Sequence, residues 1–356
     1  MALEYGTASE FGLEPEQVGA FYDAHWRRKI ALSNSKFYRW QFLEAPAAQG
    51  VDHCMVAFDR TAGVMAGVMG FNPRPFHVSS RTVSGGELTT WVVDARFRGE
   101  GIGYKILAEL QQRYDVLTAI SISGLALPVF LRAGFKYLRH IPRFVRVLDY
   151  PAVAKVAKVS PLAEKLAADW NQQEHVAFSV AEGLRGVDEI THAAAKDYNF
   201  GLRDSMHLQW RYGDHPSLKY RTFIVRGSVG ASVVALREEL SVEGLRLVHV
   251  TDMFGDDEGL RAAVAFVDDY CRQQGMHAAD FFCTSSKITR FLIAHGWFST
   301  LDHDFFEFPH LFHPLEVRTP ATSSLAIACK SDVEGISDLS RLYVTKSDAD
   351  FDRPVP

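Results

Sequence analysis

A short aromatic motif occurs twice in this chain. Phe37-Tyr38-Arg39-Trp40-Gln41-Phe42-Leu43-Glu44-Ala45-Pro46 returns in outline as His207-Leu208-Gln209-Trp210-Arg211-Tyr212-Gly213-Asp214-His215-Pro216, with the tryptophans 170 positions apart. Self-similarity at a fixed offset constrains the fold more tightly than any single propensity, because one order of elements must be used twice. Each copy reads as a short helix stopped by proline. Each is followed by two apolar runs with glycine between or beside them, 54–58 and 64–71 in the first copy, 221–225 and 230–236 in the second, which is a hairpin signal.

The order then continues in parallel. Residues 87–93 read as a strand, 102–114 as an amphipathic helix, 116–122 as a buried strand and 125–133 as a helix closed by Gly134. In the second half, 245–253, 259–274, 278–283 and 287–294, closed by Gly296, give the same types in the same order. The expected fold is α/β (α+β): two tandem domains of one kind, each a mixed, mostly antiparallel sheet flanked by helices. The alternative is two unrelated α/β domains. The expected divisions are 1–150, a linker and helix at 151–174, 175–318, and a strand, helix and tail at 319–356.

Composition narrows the function. With 356 residues, 47% apolar and 23% charged, the chain has material for two cores and no sign of disorder. The 43 acidic and 38 basic residues are interspersed rather than gathered in a basic stripe, which argues against a nucleic-acid partner. Residues 1–17 hold no apolar run of leader type and no segment has the roughly 20 apolar residues of a span, so no membrane association and a cytoplasmic location are expected. Cys54, Cys271, Cys283 and Cys329 are scattered, which predicts reduced thiols.

The chemistry is suggested by Arg98-Gly99-Glu100-Gly101-Ile102-Gly103, between a strand and a helix. A helix N-terminus carries unpaired N–H groups and the positive end of the helix dipole, so a glycine-rich turn there suits a phosphate or pyrophosphate. Gly101 and Gly103 are expected to let the backbone approach the oxygens, and Arg98 to add a charge-assisted contact. The G-x-G-x-x-G and Walker A patterns are both absent. A tight structural turn is the competing reading.

This stretch resembles the GCN5-related N-acetyltransferase superfamily. Arg98 to Gly103 matches its acyl-CoA signature [Q/R]-x-x-G-x-[G/A], and Phe130-Leu131-Arg132-Ala133-Gly134-Phe135 resembles its later helix end in Gly-Phe. The resemblance covers about 14–150 well and 175–310 by the repeat. It implies an acyl-CoA-dependent N-acyltransferase without metal, with cofactor contacts at Val92, Val93, Arg98, Gly99, Glu100, Gly101, Ile102, Gly103 and Tyr104. It also implies that the signature strand diverges near a bulge and that its N–H groups at Val92–Val93 polarise the thioester. Val93 is thus one catalytic position, and Glu87, able to reach an amine through water, is the candidate base. Asp94 is a poorer one because it would repel the pyrophosphate. Where many relatives have a tyrosine acid, this chain is read as having Leu131; Tyr104 or Tyr137 could substitute, or no acid is used.

In the second half, Gly255-Asp256-Asp257-Glu258-Gly259 places carboxylates where the diphosphate would sit, which predicts a half without coenzyme A (CoA) that helps bind the acceptor. His249 and Asp252, polar residues on an apolar strand, are the candidate acceptor contacts. Asp302-His303-Asp304 with His310 and His313 lacks a metal-binding spacing. The tail at 346–354 is read as mobile or as part of the acceptor site. The tandem layout, the tryptophan motif and an Asp-x-Asp-x-Asp-Arg-Pro tail together resemble bacterial enzymes acylating nucleotide-linked amino sugars for surface polysaccharides. That implies an amino-sugar acceptor, an acetyl or 3-hydroxybutanoyl donor and, at most, a homodimer. Another small-molecule or peptide amine, or a non-catalytic CoA-sensing module, are the alternatives.

Overall fold

The structure is a computed structural model that describes residues 3–170, 176–241, 243–301, 306–308, 310–312, 316–318, 322–350 and 353. The first half contributes strands Glu4–Thr7 (β1), Met55–Asp59 (β2), Val64–Pro73 (β3), Gly85–Val93 (β4), Val116–Ile120 (β5), Lys136–Leu138 (β6) and Arg143–Val147 (β7). The second contributes Ser179–Glu182 (β8), Arg221–Arg226 (β9), Ala231–Leu240 (β10), Arg246–Gly255 (β11), Ala278–Phe282 (β12), Phe298–Ser299 (β13) and Leu325–Cys329 (β14). The helices used below are Pro15–His25 (α1), Ser35–Phe42 (α2), Ile102–Arg113 (α3), Leu127–Arg132 (α4), Val187–Ala194 (α5), Ser205–Leu208 (α6), Asp257–Gln273 (α7) and Ser286–Ala294 (α8). Among the described residues, no helix is long and apolar enough to cross a membrane.

Two seven-stranded sheets result, with orders β1-β2-β3-β4-β5-β14-β6 and β8-β9-β10-β11-β12-β7-β13. They are the same sheet twice: an antiparallel run, one parallel pair at the centre (β4 with β5, β11 with β12), then an antiparallel strand. The sixth place, however, is exchanged. β7 of the first half pairs with β12 and β13 in the second sheet, while β14, from beyond the second half, pairs with β5 and β6 in the first. The break in the chain near 150 is therefore not the break between sheets. Short apolar strands pair through backbone groups that every sequence shares, so nothing in the β7 or β14 residues announces which sheet they enter.

The repeated motif sits where the halves meet. The Trp40 and Trp210 rings stack with centroids 5.1 Å apart and planes at 22°. Trp40 Nε1 donates to the Trp210 carbonyl at 3.2 Å and Trp210 Nε1 donates to the Trp40 carbonyl at 2.9 Å. Equivalent residues that contact each other reciprocally are what a two-fold relation requires. The two sheets thus share one order of strands, and the two copies of the motif meet reciprocally. Apolar spacing explains the flanking helices: Ile102, Ile106, Leu107 and Leu110 give α3 one buried face, and Leu260, Ala263, Val264 and Val267 do the same for α7.

Candidate active site

Strand β4 is the axis of the site. It pairs with β5 only from Gly85 to Leu88, after which the two strands separate. On its other edge the register against β3 shifts between Met69 and Phe71, so that Thr89 and Thr90 together face Gly70. That is a bulge. Gly70 is needed there, because a Cβ would lie 2.2 Å from Thr89 Oγ1 and 2.9 Å from the Phe42 ring. Residues 89–93, Val92 and Val93 among them, therefore have no strand partner on the β5 side.

The gap opens into a cavity of about 1430 Å³. Trp91, Val92 and Val93 form one wall, and Arg98, Gly99, Gly101, Ile102, Gly103 and Tyr104 another. Arg27 and Arg28 after α1 and Arg132 at the end of α4 also line it; among the described residues, no carboxylate does. Glu100 does not reach the cavity. Gly101 is the N-cap of α3, left-handed at φ 74°, with no side chain capping the helix, and Gly99 has φ 91°. The first N–H groups of α3 thus lack a side-chain cap, on a cationic wall suited to a diphosphate.

Gly103 has a different role from the one expected. A Cβ there would stand 1.7 Å from Trp91 Cζ2, so its glycine lets α3 pack against the Trp91 ring rather than clearing space for a phosphate. Leu131 is also corrected: it is 50% exposed and does not line the cavity. The inward residue on that turn is its neighbour Phe130, buried edge-on to Trp91 and Phe135, which likewise has no proton to give. Tyr104 lines the cavity; Tyr137 does not. Asp94 is paired with Arg96, whose Nε and Nη2 both donate to Asp94 Oδ2 at 2.9 and 2.6 Å and hold its carboxyl below the usual range.

At its other end β4 reaches a second, polar cavity between the halves. About 20 Å³ in volume, it has room for one water-sized group. Its walls come from both copies of the repeated motif, Phe37, Trp40 and Gln41 facing His207, Trp210 and Arg211, together with Asn72, Glu87, Ser347 and Asp350. Gln41, Asn72, His207 and Ser347 each carry a buried side-chain polar atom without a protein partner. Buried polar atoms are normally paired, so four gathered around one small space mark it as built for a polar group.

Glu87 is buried here rather than exposed at a strand end. Burial raises its carboxyl above the ordinary value, opposed by Arg74, whose Nη1 donates to Glu87 Oε1 at 2.9 Å. The same Nη1 donates to Asp348 Oδ1 at 2.7 Å. His207 is pushed well below its ordinary value, first by burial and then by Arg74, Arg203 and Arg211, so its ring is neutral.

The expected acceptor contacts His249 and Asp252 do not line this cavity. His249 is 1% exposed, with Nδ1 2.5 Å from Asp280 Oδ1 and 2.7 Å from Lys346 Nζ. Lys346 Nζ also donates to both Asp280 oxygens at 2.6 and 2.7 Å, and Arg143 Nε to Asp280 Oδ2 at 2.8 Å. Burial raises the Asp280 carboxyl, but these groups outweigh it and hold it well below the usual range. Asp252 accepts from Arg203 Nε at 2.8 Å and from the Tyr343 hydroxyl. Both are interior residues, polar on an apolar strand because each has dedicated partners.

Sequence reasoning missed the Arg27–Arg28 pair, Trp91, and the polar residues inside its own motif. Gln41 and Arg211, each directly after a motif tryptophan, were legible as equivalents but were read only as fold anchors. The tail is partly in place: Lys346, Ser347 and Asp348 are buried, and Arg353 Nη2 donates to Thr90 Oγ1 at 2.5 Å. All four cysteines are free thiols. Residues 302–304 and the side chains of His310 and His313 lie outside the described residues, as do 171–174 of the expected linker.

Residues 19–122 match the Acetyltransferase (GNAT) family. No curated protein matches the chain in sequence. In fold it is similar to a GCN5-related N-acetyltransferase from Anabaena variabilis (13% identity, 91% of this chain and 72% of that one, TM-score 0.54). It is similar also to a probable N-acyltransferase from Enterococcus faecalis (11%, 92% and 72%, TM-score 0.55). Saccharomyces cerevisiae N-myristoyltransferase with bound myristoyl-CoA aligns over 100% of this chain and 85% of its own (10% identity, TM-score 0.51). At such identities the likeness to these three is one of fold.

Proposed function

We propose that this chain, an acyl-CoA-dependent N-acyltransferase with a GNAT-family segment at 19–122, acylates the amine of a nucleotide-linked amino sugar for a surface polysaccharide. The observation that carries the site assignment is the placement of two cavities on one strand: Trp91, Val92 and Val93 border the large cationic cavity, and Glu87 borders the small polar one. Acyl-CoA lies in the first, its pyrophosphate at Arg98, Gly99, Gly101, Ile102 and Gly103, its thioester at the unpaired edge of 89–93. A yeast fold relative is solved with bound myristoyl-CoA, which supports an acyl-CoA donor. The acyl group is acetyl or a short 3-hydroxyacyl such as 3-hydroxybutanoyl, and the amino-sugar class is supported by the tandem layout and the aspartate-rich tail.

The acceptor nitrogen enters the polar cavity among Gln41, Asn72 and Ser347 and bonds to the thioester carbon. The carbon–sulfur bond breaks, the oxyanion is held by N–H groups at Val92–Val93, and the CoA thiolate leaves and takes up a proton. The amine's proton goes to Glu87. A carboxyl raised by burial is a stronger base than a free one, which suits it to the task.

A panel of amino sugars, peptides and metabolite amines against several acyl-CoAs, read by mass spectrometry, tests the acceptor; acylation of a peptide in preference to every amino sugar would replace the acceptor class and leave the chemistry. Glu87→Gln should lower kcat on the order of 10²-fold with acyl-CoA affinity unchanged. Full activity in that variant would remove Glu87 as the base.

A further inference from the structure

Removal of an amine's proton by Glu87 requires that its carboxylate be held in place, and the holding group comes from the far end of the chain. Asp348 is 5% exposed. Its Oδ1 accepts from Arg74 Nη1 at 2.7 Å, the same nitrogen that donates to Glu87; its Oδ2 accepts from Arg203 Nη2 at 2.5 Å, and Arg203 in turn holds Asp252. Two arginine–carboxylate pairs, Arg74–Glu87 from the first half and Arg203–Asp252 from the second, are thus joined through one carboxylate. Asp348 is itself locked: Thr345 N–H donates to its Oδ2 at 2.8 Å in a capping box, and the residues on either side are buried.

We propose that Asp348 is a positioning residue of the reaction, which draws Arg74 away from full pairing with Glu87 and so fixes where the base stands. The proposal rests on reading Glu87 as the base. Without Asp348, Arg74 pairs with Glu87 alone, the charge facing Glu87 becomes more positive, and the carboxyl becomes a weaker base. Arg74, Arg211 and Asp348 act on Glu87 electrostatically, and His207 and Asp350 share its cavity. Asp348 raises the Glu87 carboxyl, so its loss moves the titration to lower pH. The arrangement also explains why residues 345–349 are buried: the base on β4 is set by a residue far from it in sequence.

The test is the pH profile of kcat/KM in the full-length protein with an accepted amine. Glu87→Gln identifies the acidic limb that belongs to Glu87. Asp348→Asn should move that limb about one pH unit lower and reduce kcat at neutral pH at least tenfold, with acetyl-CoA affinity within twofold of the parent. Asp348→Glu keeps the charge on a longer arm, so it should leave the limb in place while still lowering kcat. It also carries the test if Asp348→Asn does not fold, as followed by circular dichroism. An unshifted limb in folded Asp348→Asn, or unchanged kcat in Asp348→Glu, overturns the proposal. If Glu87→Gln keeps full activity, the base assignment has failed and the role of Asp348 falls with it; if Glu87→Gln loses activity while folded Asp348 variants behave as the parent, the role of Asp348 alone has failed.

Discussion

The two halves begin the corresponding helix in opposite ways. In the first, residues 94–101 separate the end of β4 from α3, and the N-cap is Gly101, which has no side chain to offer. In the second, only Asp256 stands between β11 and α7; its carboxylate accepts from Gly259 N–H at 2.8 Å and Ala231 N–H at 2.9 Å. The same positive helix end is left open in one copy and closed by the chain's own anion in the other. The strand gap differs likewise. β11 and β12 separate after His249, as β4 and β5 do after Leu88, but Tyr343 and Val344 occupy the space: Met253 N–H donates to the Tyr343 hydroxyl at 3.0 Å and Thr284 N–H to the Val344 carbonyl at 3.2 Å. The corresponding gap is open in the first half and filled from within in the second.

The largest effect should come from giving the first helix what the second has. Gly101→Glu places a carboxylate at the open N-terminus, in a backbone conformation that L side chains rarely adopt, and should weaken acetyl-CoA binding more than a hundredfold, about 2.7 kcal/mol. Calorimetric titration of the parent should give one site per chain. Two sites per chain would mean that Tyr343 and Asp256 do not close the second slot, and the comparison would break.

How much of this was legible follows from the kind of signal each feature leaves. The repeat and the order of strands and helices were readable, because periodicity and glycine stops are local; every expected element of both halves is present within a few residues of its bounds. The exchange of β7 and β14 was not, since strand pairing is written in backbone groups. His249 was misread for a related reason. It faces Asp280, the third residue of β12, as Glu87 faces Thr118, the third residue of β5. The two occupy corresponding places, yet which of them meets a cavity and which meets a buried partner depends on residues far away in sequence, Lys346 and Arg143 for the one, Arg74 and Asp348 for the other. The sequence shows that a polar residue sits on an apolar strand; only the fold shows whether it is already satisfied.

That difference between Glu87 and His249 predicts a pH dependence of stability that His249 carries. Burial lowers His249 to about 4, against 6.5 for a free imidazole. A depressed folded value means that its contribution to stability is complete above pH 6.5 and is lost as pH falls toward 4, because the unfolded chain binds the proton first. The slope is at most about 1.4 kcal/mol per pH unit for one such group. Thermal melts between pH 7 and 5 should therefore fall less steeply in His249→Gln than in the parent, with His207 contributing equally to both. Parallel curves would show that His249 is not held neutral.

The smallest effect tests whether Asp256 alone explains the missing second site. Asp256→Ala removes the side chain that caps α7 and also holds Ala231 N–H, so stability should fall by about 1 kcal/mol, the usual value of such a cap, and the melting temperature by a few degrees at most. CoA stoichiometry should nevertheless stay at one per chain. Removing a carboxylate restores neither a loop the length of 94–101 nor an arginine at the position of Arg98, and Tyr343 still fills the strand gap. If acetyl-CoA bound twice to Asp256→Ala, the carboxylate would be the sole barrier and the shortened connection irrelevant. If stability were unchanged, the cap would be decorative, and the closed second slot would be held by Tyr343 and Val344 alone.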